Sequence, residues 1–288
     1  MKLQRFTVHR PTSLAEAVEM RSNLGEDAAF YAGGTELLLV MKLGLADYSH
    51  LIDLKRIEQL SALSIEDEEV CIGASMTYQA ILRSPELNRR FPGFLRMLSG
   101  IGNLRVRTTG TLGGNLAFAD PHSDPLTFLI AANASVGIVG VDGRSRRIPI
   151  EQFTHGPYAT SLEPGEVLAT IRIPLPSQDA RFAHAHVRFR ERPALTVSAA
   201  GVVRDGTLWS LGLVVGAIEG VPRRIDVKEA VEAAGSYDAA KVQELVSQTV
   251  EPVDDLDGSS DYKRHLAGVV AGRLLGDLTV GSGGQNAG

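Results

Sequence analysis

Apolar and polar positions follow a helical rhythm in some stretches of this 288-residue chain and a two-residue alternation in others. Ser13-Leu14-Ala15-Glu16 has the spacing of a capping box at the head of a helical pattern, and Gly25 is a natural stop. "AAFYAGG" then predicts a short buried strand running into a glycine turn, "TELLLVMKLGL" a helix leaving it, and "HLIDL" a strand closing an α/β unit. From about Lys55 the pattern changes. "LSIEDEEVCIGA" sets two apolar stretches around an acidic turn and predicts a hairpin, "TYQAILRS" and "PGFLRMLSGIG" read as helices, and "DPLTFLIAANA" as another. "SVGIVGVDGRSRRIPI" predicts a hairpin turning at Asp142-Gly143. Strands and helices mixed in this way define an α+β chain.

Pro174 and Pro176, after "EVLATIRIPLP", mark a domain boundary. Beyond them "RFAHAHVRFR", "TVSAAGVVRDGTLWSLGLVV" and the amphipathic stretches from "VKEAVEAAG" onward and at "YKRHLAGVVAGRLLG" predict a sheet covered by helices, and "GSGGQNAG" has the composition of a flexible tail. The length favours two or three domains sharing a substantial core.

Composition narrows the function. Lys and Arg total 29 against 34 Asp and Glu, a net charge of −5, which gives no footprint for nucleic acid. No apolar run reaches the roughly 18 residues of a membrane span. The amino terminus "MKLQRFTVHRPTSLAEAV" lacks a signal-peptide core, so the expected location is the cytoplasm. The single Cys71 excludes an internal disulfide, a cysteine zinc site and a cysteine-ligated iron–sulfur cluster held by this chain alone. Electrons moving through this protein would need an organic cofactor or a partner's metals.

Two glycine pairs carry the candidate chemistry. In "AGGTELL", Gly33 and Gly34 let a backbone approach a ligand closely and expose successive N–H groups, Thr35 adds a hydroxyl, and the following helix points its positive end at an anion. In "TLGGN", Gly113 and Gly114 are expected to act likewise, with Thr111 and Asn115 as side-chain donors. Two such turns suit a diphosphate gripped from opposite sides. A lone Gly-Gly is more often a plain tight turn, so on residues alone the reading stops at a nucleotide-binding α+β protein.

The combination "YAGGTELLLVMKLGL...HLIDL", "LRVRTTGTLGGNLAFADPHSDP" and "GEVLATIRIPLP" resembles the FAD-binding medium subunit of molybdenum hydroxylases, the family of carbon monoxide dehydrogenase and xanthine dehydrogenase, and "FRERPALTVSAAGVV" resembles the start of that family's carboxy-terminal flavoprotein domain. The resemblance implies a PCMH-type FAD-binding domain over 1–176, with lobes of about 1–55 and 56–176, a carboxy-terminal domain over 177–280 and a tail at 281–288. It implies an FAD diphosphate held by Ala32, Gly33, Gly34, Thr35 and Glu36 on one side and by Thr111, Gly113, Gly114 and Asn115 on the other. Asp124 matches an acid that binds the sugar-like part of the cofactor, Ile101 and Leu168 match apolar positions on its rings, and His186 stands where relatives commonly carry lysine at the flavin edge. It further implies a large molybdopterin-binding subunit and a small subunit with two [2Fe–2S] clusters, assembled as a dimer of heterotrimers, with electrons passing from the clusters through FAD to an external acceptor. No catalytic base or metal ligand is expected in this chain. A stand-alone FAD oxidase or dehydrogenase and a nonenzymatic nucleotide-binding subunit stay open as other classes.

Other residues read more plainly. His184 and His186 alternate on a strand as metal ligands do, but no nearby carboxylate or thiol completes a set, which predicts a surface or cofactor-edge role. His122 and Asp124 lack a nucleophile and suit a turn or helix cap, Arg144 to Arg147 a solvated hairpin turn, and Trp209 and Tyr31 the core.

Overall fold

The computed structural model describes residues 3–230 and 237–279. The expected tail at 281–288 and all of "VEAAGS" lie outside them. The chain divides into two compact units, the first comprising 1–84, 101–120 and 134–174, the second 85–100, 121–133 and 175–288.

The first unit opens with a parallel three-stranded sheet of β1 (Thr7–His9), β2 (Ala28–Tyr31) and β3 (His50–Asp53) in the order β1-β3-β2. The Leu14–Leu24 helix between β1 and β2 begins as its capping box predicts: the Glu16 N–H donates to Ser13 Oγ, and Gly25 ends the helix at a positive φ. Its Ala17 and Val18 are buried with Ala28 and Ile52. The second element of this unit is a five-stranded sheet of β4 (Leu63–Glu66), β5 (Glu69–Gly73), β6 (Ser135–Val139), β7 (Ser145–Pro149) and β10 (Val167–Pro174), ordered β4-β5-β10-β6-β7; β8 (Thr154–Gly156) and β9 (Ala159–Thr160) form a small ribbon. Both predicted hairpins are present. The acidic turn between β4 and β5 places Asp67 and Glu68 at φ 48° and 62°, without a glycine. Arg146 and Arg147, expected in a solvated turn, lie on β7 instead, where Arg146 pairs with Glu166 and Arg147 with Glu69 and Ser135.

The second unit is an antiparallel sheet of β11 (Ala180–Arg188), β12 (Pro193–Arg204), β13 (Thr207–Gly216) and β14 (Arg223–Ile225), in chain order across the sheet. Strand alternation gives β11 two different faces. Ala183, Ala185 and Val187 join the core that Val197, Leu213 and Val215 build with Val242 and Val246 of the Ala239–Thr249 helix and Ala267, Ala271 and Leu274 of the Ser260–Thr279 helix. Phe182 turns the other way, meeting Phe91 and Phe128, while Phe94 stacks on Phe128 at 5.2 Å. The sheet therefore carries helices on both sides, Pro92–Ser99 and Asp124–Ala131 covering the second face. Trp209, expected in the core, is 57% exposed: its neighbour Leu208 takes the buried side of β13, and alternation sends Trp209 outward.

Candidate cofactor site

Within the first unit the two glycine stretches meet. Gly33 follows β2 and lies against the backbone of Thr109 and Gly110, so close that a Cβ there would collide with the Thr109 carbonyl oxygen and stand 2.8 Å from the Gly110 Cα. Gly34 adopts φ +70°, which favours glycine, and packs beside the Tyr31 ring. Lys55 secures this turn: its ammonium lies 4.0 Å from the Tyr31 ring centroid, donates to the Ala32 carbonyl at 3.2 Å and pairs with Asp53 at 3.2 Å. The N–H groups of Gly33, Gly34 and Thr35 have no acceptor among the described residues. The helix beyond, Leu37–Leu43, ends at Gly44 in the left-handed region.

The second stretch is built differently from its expectation. "TLGGN" is the first turn of a helix, Leu112–Phe118, with Thr111 as N-cap. Its early donors are already used: Leu112 N–H donates to Met76 O, Gly113 N–H to Ala74 O at 2.9 Å, Gly114 N–H to Thr111 Oγ1 at 3.1 Å and Asn115 N–H to Thr111 O. Gly113 is glycine because the Ala74 backbone is in the way, its carbonyl oxygen 2.6 Å from where a Cβ would stand. Gly114 instead is exposed and presents bare backbone at the surface; a Cβ there would meet the capping Thr111 hydroxyl at 2.6 Å. Both N–H groups expected to face a ligand are thus already bonded, because a capped helix start consumes its own donors, and what remains is the exposed backbone surface at Gly114.

Ile101 and Leu168 also belong to the first unit. The Ile101 and Gly102 carbonyls each accept from Arg107 at 3.0 Å, and Leu168 is buried on β10 beside a register shift.

Asp124 and His186 belong to the second unit, and there they are directly bonded. Asp124 begins the Asp124–Ala131 helix, is 4% exposed, and its Oδ1 accepts from His184 Nε2 at 3.0 Å and from His186 Nδ1 at 3.1 Å. Arg188 Nη2 donates to Oδ2 at 3.1 Å, and Arg188 Nη1 to the Gly100 carbonyl. Burial favours the neutral acid, yet the hydrogen bonds from both histidines outweigh it and hold the Asp124 carboxyl well below the usual carboxylate range. An ionised carboxylate only accepts, so His184 donates through Nε2 and His186 through Nδ1, while His184 Nδ1 also hydrogen-bonds the Ser198 hydroxyl at 2.7 Å. The carboxylate that sequence reading did not find for the histidine pair is therefore Asp124. The donor atoms of Asp124, His184 and His186 lie within 4.8 Å of one another, near enough to share a cation, but each already has a hydrogen-bond partner and a guanidinium occupies the other carboxylate oxygen. Arg188 and Ser198 were missed; the spacing His184, His186, Arg188 on one strand face was the available signal for Arg188. His122 is not an acid/base partner of Asp124: it is half-buried, and the charges that act on it are Asp257, Asp255 and Lys263.

An α+β fold with adjacent unbonded N–H groups at a glycine junction is suited to binding an anionic ligand such as a nucleotide. Residues 4–176 match the family described as "FAD binding domain in molybdopterin dehydrogenase", and the chain belongs to that family, as an FAD-binding oxidoreductase subunit of the medium-subunit type. It is 34% identical over 284 residues to the carbon monoxide dehydrogenase medium chain of Hydrogenophaga pseudoflava, spanning 94% of this chain and 96% of that one. Among solved structures it is similar to the carbon monoxide dehydrogenase of Hydrogenophaga pseudoflava that lacks the Mo-pyranopterin moiety of its molybdenum cofactor, with a TM-score of 0.90 and 31% identity over 96% of this chain and 98% of that one. It is also similar to quinoline 2-oxidoreductase of Pseudomonas putida 86, with a TM-score of 0.87 and 27% identity over 96% and 97%.

Proposed function

We propose that this chain is the FAD-carrying electron-transfer subunit of a heterotrimeric molybdenum hydroxylase, taking electrons from [2Fe–2S] clusters in a small partner subunit and delivering them to an external acceptor. A large molybdopterin-binding subunit would carry the substrate chemistry, the assembly would be a dimer of heterotrimers, and its location cytoplasmic. Among the described residues no helix is long and apolar enough to cross a membrane.

The observation that carries this reading is the junction at Gly33, set inside a chain that matches medium subunits along nearly its whole length. Three consecutive N–H groups without acceptors among the described residues, at Gly33, Gly34 and Thr35, suit the oxygens of a diphosphate, and exposed Gly114 allows close approach on the neighbouring stretch. In this proposal Ala32 to Glu36 hold the diphosphate together with Gly114 and the side chains of Thr111 and Asn115, while Gly113 packs the helix into place. Ile101 and Leu168 would pack on the cofactor rings. Asp124 would reach the sugar-like part through a remaining lone pair, and His186, fixed by Asp124, would meet the flavin edge. FAD, when bound, supplies the redox chemistry; the protein binds it, orients it and tunes its potential. The domain division that goes with this reading is 1–176 for the FAD-binding domain and 177–280 for the carboxy-terminal domain.

Two measurements test it together. Acid-released flavin should run as FAD on chromatography in stoichiometric amount. Rapid mixing with the substrate of the purified complex should bleach flavin and clusters in the assembly but leave the isolated flavin-loaded chain unchanged. Bleaching of the isolated chain at a catalytic rate would replace the relay by a stand-alone flavoenzyme.

A further inference from the structure

The second unit contains a cavity of about 1300 Å³ bounded by the Pro92–Ser99 helix with the residues before it, by β11, and by the carboxy-terminal half of the Ser260–Thr279 helix. Its charge is one-sided. Arg89, Arg90, Arg96, Arg181 and Arg273 line it, and Asp277 is the single acid among the described lining residues. Arg89 and Arg90 share one carboxylate, Glu86, and Arg181 donates to the Gln178 and Ala180 carbonyls. Arg96 and Arg273 are exposed and have no anionic partner among the described residues, and they stand on different helices. The Asp124 carboxylate adds nothing to oppose this field, since it is buried and already bonded to His184, His186 and Arg188. The rest of the described lining mixes apolar side chains, Met97 from one helix and Val270 and Leu274 from the other, with Ser177, Gln178, His184 and His186.

From this arrangement we infer that the groove receives an acidic, partly apolar polypeptide segment of a companion subunit; the inference rests on the reading of this chain as one subunit of a complex. Three features select that occupant. The cavity is larger than the roughly 300–1,000 Å³ typical of small-molecule pockets. Unpartnered arginines on two helices bounding it match carboxylates leaving an extended segment on alternate sides, because successive side chains of such a segment point in opposite directions. The apolar side chains in the lining, Met97, Val270 and Leu274, give the segment a surface to bury. Electrostatic complementarity of this kind sets partner choice and association rate more than it sets the fold.

The test uses the complex purified from co-expression of the subunits. The double variant Arg96→Glu, Arg273→Glu should keep its circular dichroism and FAD content, because neither guanidinium has a bonding partner among the described residues, yet associate with its companions about tenfold more weakly at about 0.15 M salt. A photo-crosslinking residue placed at Arg96 should join a companion segment rich in Asp and Glu, identified by mass spectrometry. Unchanged association of the variant, or crosslinks to a neutral or basic segment or to a second copy of this chain, overturns the groove assignment and leaves the subunit reading standing. If the wild-type chain purifies without companions, the subunit reading itself falls and takes this inference with it.

Discussion

At Gly33 a single hydrogen is all the space allows, because the Thr109 carbonyl and the Gly110 Cα occupy the volume a methyl group would need. Those atoms are backbone and cannot rotate away, so Gly33→Ala must push the two stretches apart. Overpacking of this kind costs about 1–3 kcal/mol, and the displacement acts on the three N–H groups assigned to the diphosphate. The expected outcome is a variant that folds with a lowered urea midpoint and loses most of its FAD on gel filtration; retention of stoichiometric FAD would show that the junction does not shape the site. Both strings were legible as points of close approach from the glycines alone. Their contact with each other was not, since it joins residues far apart in sequence. Nor was the consumption of the second stretch's donors: a glycine pair reads as a turn because glycine disfavours helix interiors by about 1 kcal/mol per residue, whereas here both glycines sit in a first turn capped by Thr111.

Elements inherit their titration behaviour from what they pack against. His122, between the Leu112–Phe118 and Asp124–Ala131 helices in sequence, has its pKa lowered chiefly by burial, with Lys263 adding to the effect and Asp257 and Asp255 opposing it. Below about pH 6.5 the unfolded chain binds a proton at this residue that the folded chain resists. This depressed group therefore contributes stability at higher pH and loses it on acidification, and the urea midpoint should fall between pH 7.5 and 5 more steeply in the wild type than in His122→Gln. Parallel slopes would mean that burial does not govern this histidine. Asp124, also depressed, acts in a separate window, its contribution fading only as pH falls below about 3.9. At this scale the sequence was readable where patterns were local: the capping box, the two hairpins and the alternating His184 and His186. The partner of those histidines was not, because Asp124 lies 60 residues before His184 and reaches it only through the packing of a helix on a sheet.

For the molecule as a whole, the two compact units are woven from non-consecutive segments, with 85–100 and 121–133 leaving the amino-terminal part of the chain to join the carboxy-terminal sheet. The stretch 101–120, which holds the second glycine pair, therefore enters the first unit from one segment of the second and returns to another. A ligand bound at the Gly33 junction should restrain this stretch and the β2 turn together. Ligand present at about 100 times its dissociation constant adds about 2.7 kcal/mol to stability, which for a chain of this size raises the melting temperature by about 4–5 °C. FAD should produce that shift, and hydrogen exchange should slow at Gly33, Gly34 and Thr35, whose N–H groups have no acceptor among the described residues, while Gly113, already bonded to Ala74, changes little. FMN, with one phosphate and no adenosine, should give a smaller shift and weaker protection at the same amides. Equal responses to the two flavins, or protection confined to the second unit, would remove the diphosphate from the glycine junction and require a different residence for the cofactor.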